Sequence, residues 1–196
     1  MFFACGIQKQ TAELSKLEKF KPSELDISKF KTIDFRLFKI KVPQDWDTIK
    51  VRGIDSYVIE LVTADLDTIS SDFGLYSNKL DPHETLPNFV QRSEYNSQNE
   101  SERIMYDGTE VVLYDDWEEI NFEDYFKTTE EYYNVNGYKA RIVRPKISGS
   151  SVTGIYIAEL WKNKDRIIRF NLYGLDLSEK SEIELLHAIS TLEFNR

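Results

Sequence analysis

The last third of the chain alternates apolar and charged residues in a way that predicts an antiparallel sheet. Tyr138, Ala140 and Ile142 are separated by charged residues, and this period of two is typical of a half-buried strand. Asn136-Gly137 separates this strand from the apolar run before it, which indicates a tight hairpin. Two more runs rich in β-branched and aromatic residues predict strands at 154–161 and 166–173.

A single amphipathic helix is predicted after these strands. Ser178 is suited to cap the first turn, because its hydroxyl can accept a hydrogen bond from a free backbone amide. Ile183, Leu186 and Ile189 recur at helical spacing and give the helix one apolar side. A helix of this kind laid across an antiparallel meander is an α+β layer arrangement.

Shorter strands and turns are predicted upstream. The strands are expected at 35–42, 55–63, 68–76 and 111–114. Asp107-Gly108 indicates a second hairpin, between 104–106 and 111–114. Residues 77–103 interrupt the pattern with two prolines and a long polar run, so we expect an inserted loop there. The region 33–196 is therefore predicted to be one α+β domain.

Composition and charge narrow the classes of function. The chain has 196 residues, 41% of them hydrophobic, and a formal net charge of −9. This charge argues against a nucleic-acid binder, which needs clustered Lys and Arg, and against electrostatic docking of the chain on anionic membranes. No apolar run approaches the roughly 20 residues that span a bilayer. The single cysteine excludes a disulfide within the chain.

The first residues resemble the end of a bacterial lipoprotein signal. In the segment Met1-Phe-Phe-Ala-Cys-Gly6, apolar and small residues come directly before Cys5, where such signals are cut and the cysteine receives lipid. A leader is roughly 15–30 residues long, so we expect the natural precursor to begin upstream. Residues 8–21 are mostly polar, as in a tether, and contain a short predicted helix that Pro22 ends. We therefore assign 1–32 as a tether that holds the protein in the cell envelope, facing the periplasm or the outside. If Met1 is the true start, Cys5 is an ordinary thiol in a cytoplasmic protein.

Several sequence segments of the predicted domain resemble segments of proteins with the PsbP-like fold, such as PsbP and Mog proteins. They are Phe38-Lys-Ile-Lys-Val-Pro-Gln-Asp-Trp46, Asn136-Gly-Tyr-Lys-Ala-Arg-Ile-Val143, Gly154-Ile-Tyr156 and Thr191-Leu-Glu-Phe194. The chain also resembles small envelope lipoproteins of Gram-negative bacteria whose role is undefined. The resemblance implies a single domain with a central twisted antiparallel sheet flanked by α-helices, an α/β/α sandwich. It implies no catalytic residue.

The sequence contains no recognisable motif for catalysis, cofactor binding or metal binding. The only candidate bases are His83, expected in an exposed loop, and His187, expected at the boundary of the last helix with a hydrogen bond. Two histidines and one terminal cysteine are too few for a structural zinc site. Asp65 and Asp67 offer oxygens that calcium prefers, but they lack the EF-hand spacing and are expected to be solvated turn residues. We therefore predict a protein without cofactor, metal or enzymatic activity.

A candidate partner contact lies at Trp117, which is surrounded by acidic residues. These are Asp115, Asp116, Glu118 and Glu119. An aromatic side chain in a charged loop is a plausible contact with another protein. The alternative is that Ile120 and Phe122 draw Trp117 into a local apolar cluster. The sequence thus favours an envelope-anchored accessory module that binds another protein. A small-molecule or carbohydrate binding module is the alternative, and an enzyme of unknown type is the third.

Overall fold

A computed structural model describes residues 14–23, 25–54, 56–99, 108, 110–163 and 166–195. Cys5 lies outside this described part of the chain. The chain divides into two compact units, one made of residues 1–80 and 128–196 and the other of residues 81–127. Within the described ranges, no helix is long and apolar enough to cross a bilayer.

The described residues form twelve strands and two α-helices. The strands are β1 (Phe30–Asp34), β2 (Phe38–Pro43), β3 (Asp47–Ile49), β4 (Tyr57–Val62), β5 (Thr68–Gly74), β6 (Asn88–Gln91), β7 (Val111–Tyr114), β8 (Thr128–Val135), β9 (Tyr138–Pro145), β10 (Val152–Asn163), β11 (Arg166–Leu175) and β12 (Glu193–Phe194). The helices are α1 (Arg92–Ser97) and α2 (Glu179–Ser190). Short 3₁₀ turns lie at Ile27–Lys29, Pro82–Thr85, Trp117–Glu119 and Phe122–Tyr125.

The first unit is built on a seven-stranded antiparallel sheet with the spatial order β3, β4, β5, β11, β10, β9, β8. The hairpin between β8 and β9 turns at Asn136-Gly137, as predicted, and pairs Val135 with Tyr138. Asn136 and Gly137 have φ angles of 50° and 83°, as a two-residue hairpin turn requires. A second sheet of the same unit has the order β1, β2, β12.

Helix α2 covers the core side of both sheets. Ser178 caps it as predicted: its Oγ accepts a hydrogen bond from the Ser181 amide at 3.2 Å. Leu185, Ala188 and Ile189 are fully buried in one cluster with side chains from both sheets. The largest buried side chains of this cluster include Trp46, Phe38 and Phe170. The apolar side of α2 and the sheets therefore share one hydrophobic core.

The second unit is small and has its own strand pair. Strands β6 and β7 are parallel and pair Asn88 with Val111. The predicted strand at 111–114 is thus confirmed, and among the described residues it pairs with β6. Residues 104–107 of the predicted hairpin lie outside the described residues. The region 77–103 contains a 3₁₀ turn, β6 and α1 rather than a plain loop.

The prediction of an α/β/α sandwich is wrong. The protein is mostly β, with 45% strand and 20% helix, although the predicted antiparallel sheet is present. Only α2 is a long helix among the described residues, and the six-residue α1 buries no residue. Residues 11–13 of the helix predicted before Pro22 lie outside the described residues; Leu14 is helical, and the Leu17 amide donates to the Leu14 carbonyl oxygen. Further along, the Phe20 amide donates to the Asn134 carbonyl oxygen at the edge of the sheet.

Candidate functional site

Trp117 lies in the second unit, in a 3₁₀ turn that begins just after β7. Asp116 caps this turn by accepting a hydrogen bond from the Glu118 amide at 3.0 Å. The Trp117 ring contacts Tyr114 and Phe122 with centroid distances of 5.2 Å each, and Phe89 at 6.3 Å. Trp117 is nevertheless 52% exposed. One part of the indole is thus held by aromatic packing while the other part is open to solvent.

The aromatic packing explains how a turn this short can fix an indole. Phe89 of β6 contacts Phe122 and Tyr125 edge to face, each at a centroid distance of 5.0 Å. Such pairs contribute about 0.5–1.5 kcal/mol each beyond their buried area. The alternative, that Ile120 and Phe122 draw Trp117 into a local apolar cluster, is met at Phe122, and half of Trp117 nevertheless stays exposed. The contact itself stays a prediction.

The four acidic residues beside Trp117 have different roles. Asp115 pairs with Arg92, whose Nε lies 3.1 Å from Oδ1, but both side chains are exposed and such a pair is weak. Asp116 is used in capping. Glu118 and Glu119 are exposed and have no ion-pair partner among the described residues. Two uncompensated carboxylates therefore lie next to the exposed indole.

Negative charge is concentrated in this unit. Residues 81–127 contain thirteen acidic and three basic residues, a net charge of −10. The rest of the chain contains 21 acidic and 22 basic residues and is nearly neutral. The negative charge of the chain thus comes from the unit that carries Trp117. The total of −9 for the whole chain does not show this.

The two histidines lie in different units. His83 is exposed, as predicted, and its ring contacts Phe126 at a centroid distance of 5.0 Å. His187 of α2 is more buried than expected, at 6% exposure, and its Nε2 has no hydrogen-bond partner in the described structure. The hydrogen bond expected of this side chain is therefore not made by Nε2.

His187 lines a hollow of about 590 Å³ in the first unit. Its other lining residues are Phe20, Lys21, Pro22, Ser23, Leu25, Asp26, Ile27 and Ser190. The Ser190 hydroxyl donates to the His187 backbone carbonyl oxygen at 2.7 Å rather than to the imidazole. Asp26 accepts a hydrogen bond from the Ser28 amide. The hollow thus has apolar and polar walls, but these contacts do not align a serine, the imidazole and a carboxylate as a catalytic triad does.

Asp65 and Asp67 bind the start of α2. The Ser178 amide donates to Asp67 Oδ2, and the Ser178 hydroxyl donates to Asp65 Oδ2, each at 3.0 Å. No group of three or more metal-binding side chains occurs among the described residues. These two carboxylates therefore act in helix capping. Burial raises the pKa of Asp67, but hydrogen bonds from Ser181 and Ser178 outweigh burial and hold the pKa below its usual value.

No known family model matches the chain, and no curated protein matches it. The resemblance to PsbP-like proteins and to envelope lipoproteins therefore stays a prediction.

The lowered pKa of Asp67 predicts a pH-dependent contribution to stability. Because the folded-state pKa lies below the unfolded value of about 3.9, the contribution is present above that pH and is lost as pH falls through the folded-state pKa. We expect Asp67→Asn to lower the melting temperature at pH 7, with the difference from the wild type shrinking below about pH 4. Thermal unfolding across this pH range measures the effect. The exposed Asp45→Asn is the control, and a difference that does not change with pH would contradict the assignment.

Proposed function

We propose that this protein is a non-catalytic accessory module of the cell envelope that binds another protein through residues 81–127. The observation that carries the proposal is Trp117, an indole fixed by aromatic contacts yet half exposed. Tryptophan is among the residues enriched in the energetic centres of protein interfaces. A ring that is already held in place loses little conformational freedom on binding, which favours affinity.

The charge of the unit supports a basic partner surface. A net charge of −10 over residues 81–127 attracts clustered Lys and Arg and speeds their encounter with this surface. Glu118 and Glu119, next to the indole, are free to meet such cations. An arginine of the partner can also stack on the face of Trp117 as a cation–π contact.

The anchor is the second part of the proposal. Lipid on Cys5 would hold the protein at a membrane, and the residues after Cys5 would link that lipid to the folded body. The localisation is then the cell envelope, with the body facing the periplasm or the outside. A cytoplasmic protein with a free thiol is the alternative, which applies if Met1 is the true start.

Binding of a small molecule or carbohydrate is the second candidate function. The hollow beside His187 supports it, since about 590 Å³ lies within the range of small-molecule sites and Phe20 offers an aromatic wall. The hollow is broadly open to solvent, whereas such sites enclose most of a ligand. This candidate therefore ranks below protein binding, and an enzyme ranks third.

The lipid anchor is tested by mass spectrometry of the protein isolated from its own membranes. We expect an amino terminus at Cys5 that carries lipid, because the residues before it resemble a lipoprotein cleavage site. Cys5→Ser should abolish the added mass and release the protein from the membrane fraction. An unlipidated native chain that starts at Met1 would rule the anchor out.

The protein contact is tested by placing a photoreactive amino acid at position 117 in cells and irradiating intact envelopes. We expect a discrete crosslinked adduct from position 117 and none from position 76, where Tyr76 is 79% exposed in the other unit. The double variant Glu118→Lys/Glu119→Lys should reduce the adduct about tenfold, because it reverses the charge offered to a basic partner.

A matched double variant, Asp45→Lys/Glu193→Lys, changes the net charge equally on exposed residues of the other unit and should leave the adduct intact. Identical adducts from positions 117 and 76, or equal loss with both double variants, would contradict a specific contact at Trp117.

A further inference from the structure

Exposed apolar side chains are concentrated at one edge of the seven-stranded sheet. Of the twelve large apolar side chains exposed in the described structure, four lie within residues 49–57. They are Ile49, Val51, Ile54 and Tyr57. Ile54 has an exposure of 103%, so its side chain touches almost nothing else in the protein. Such a concentration differs from the scattered exposed apolar residues of an ordinary surface.

Gly53 makes a close backbone approach in this segment. A Cβ atom on Gly53 would lie 2.2 Å from the Ser56 carbonyl oxygen and 3.0 Å from Val58 Cγ2. Only glycine fits so close an approach. Ile54 directly follows Gly53 in the loop between β3 and β4. We call residues 49–54 the basic–apolar tip.

Two cations alternate with the apolar residues of the tip. Lys50 lies between Ile49 and Val51, and Arg52 follows Val51. Both cations are exposed, and neither has an ion-pair partner in the described structure. The tip itself contains no acidic residue, although Asp55 follows it in sequence.

We propose that the basic–apolar tip docks on a bilayer containing anionic lipids. Ile54 and Val51 would enter the boundary between headgroups and acyl chains, while Lys50 and Arg52 would meet lipid phosphates. Apolar side chains combined with flanking Lys or Arg are the chemistry that binds proteins to membrane surfaces. The two cations of the tip are complementary in charge to anionic lipid headgroups.

The geometry favours a bilayer over a protein partner. A stable protein interface buries about 800 Å² on each side, which involves some 20–30 residues. The tip offers six residues, and Ile54 projects alone. A bilayer accepts single inserted side chains without requiring a complementary rigid surface.

Two carboxylates lie next to the cations of the tip. Glu60 of β4 pairs with Ile49, and Asp55 follows Ile54 in sequence. At physiological ionic strength, charges separated by more than about 8 Å through solvent are largely screened, so these near groups matter most. Lys50 and Arg52 offset them, and insertion of Val51 and Ile54 supplies the rest of the attraction.

The tip goes beyond the proposed protein contact and does not depend on Trp117 or on Cys5. Two inserted side chains and two cations bind a membrane weakly on their own. If Cys5 carries lipid, that anchor keeps the tip at high local concentration near the bilayer, and the two attachments reinforce each other. The first unit would then be held against the membrane at its β3–β4 edge.

The test uses the full chain with Cys5→Ser, so that no lipid anchor contributes. Because Cys5 is the only cysteine, a new cysteine at position 54 can be labelled alone with an environment-sensitive fluorophore. Vesicles of phosphatidylcholine with phosphatidylglycerol should shift its emission to the blue and raise its intensity about twofold or more. Vesicles of phosphatidylcholine alone should give a much smaller change. The matched control is the same label at position 66, where Leu66 is 81% exposed, and we expect no shift there.

Co-sedimentation of the unlabelled Cys5→Ser chain with anionic vesicles gives a second measurement. Ile54→Ser and the double variant Lys50→Glu/Arg52→Glu should each weaken binding about fivefold or more. Leu66→Ser and Lys41→Glu/Lys139→Glu change equivalent exposed residues elsewhere in the first unit and should leave binding unchanged. Asp55→Asn should strengthen binding, because it removes the carboxylate next to the tip.

Two results would overturn the proposal. One is the absence of a blue shift from the label at position 54 on anionic vesicles, and the other is an equal loss of vesicle binding in the tip and control variants. Sedimentation velocity without vesicles tests whether a second copy covers the tip instead: a dimer that Ile54→Ser abolishes would also overturn it. None of these results bears on the crosslink from position 117 or on the mass of native Cys5, so failure here is distinct from failure of the proposed function.

Discussion

The packing of helix α2 against the sheets is the constraint on which the first unit depends. Its two sheets share no strand among the described residues, but they share one hydrophobic core. Leu185, Ala188 and Ile189 of α2 close that core. Burial of apolar area in such a core is the dominant favourable term in folding. The start of α2 is fixed as well, because Asp65 and Asp67 accept hydrogen bonds from Ser178. One helix, fixed at its start and buried along one side, thereby holds the first unit together.

The two edge strands of the seven-stranded sheet, β8 and β3, differ in how far they are covered by other parts of the first unit. At β8, the amide of Asn134 donates to the Glu18 carbonyl oxygen and its own carbonyl accepts from Phe20, so part of this edge is covered by the amino-terminal segment. Phe20 is buried there and contacts Tyr133 edge to face. At β3, by contrast, all three residues are exposed. Exposed strand edges are a liability that proteins usually protect, and an edge that stays open beside an apolar loop suits a surface contact.

Local signals in the sequence predicted the local parts of the structure. Asn136-Gly137 specified its hairpin because a two-residue turn needs left-handed conformations at both positions. Ser178 and the apolar spacing that follows it specified α2 in the same way. The parallel pairing of β6 with β7 depends on contacts between segments far apart in the chain, and no local pattern reports them. The helices on both faces of the sheet were implied only by resemblance, and the pairing of Glu18 and Phe20 with Asn134 at the sheet edge had no local signal either.

The candidate sites also differ in how much of them could be predicted from local sequence. Trp117 could be found because an aromatic residue among acids is unusual in sequence, but its exposed fraction required coordinates. Counting charged residues segment by segment reveals the negative charge of residues 81–127, whereas the total of −9 for the whole chain does not. The basic–apolar tip was missed because alternating apolar and basic residues are equally typical of a strand. Its exposure, like the close approach of Gly53 to Ser56, required coordinates.

The most direct test of the account is the stability of Leu185→Ala, since Leu185 is completely buried between α2 and the sheets. Urea unfolding followed by circular dichroism should show a loss of about 2–5 kcal/mol in the free energy of unfolding. Leu66→Ala, which truncates an exposed leucine, should change it by less than about 0.5 kcal/mol. Equal and small effects of the two substitutions would contradict the claim that α2 closes the core.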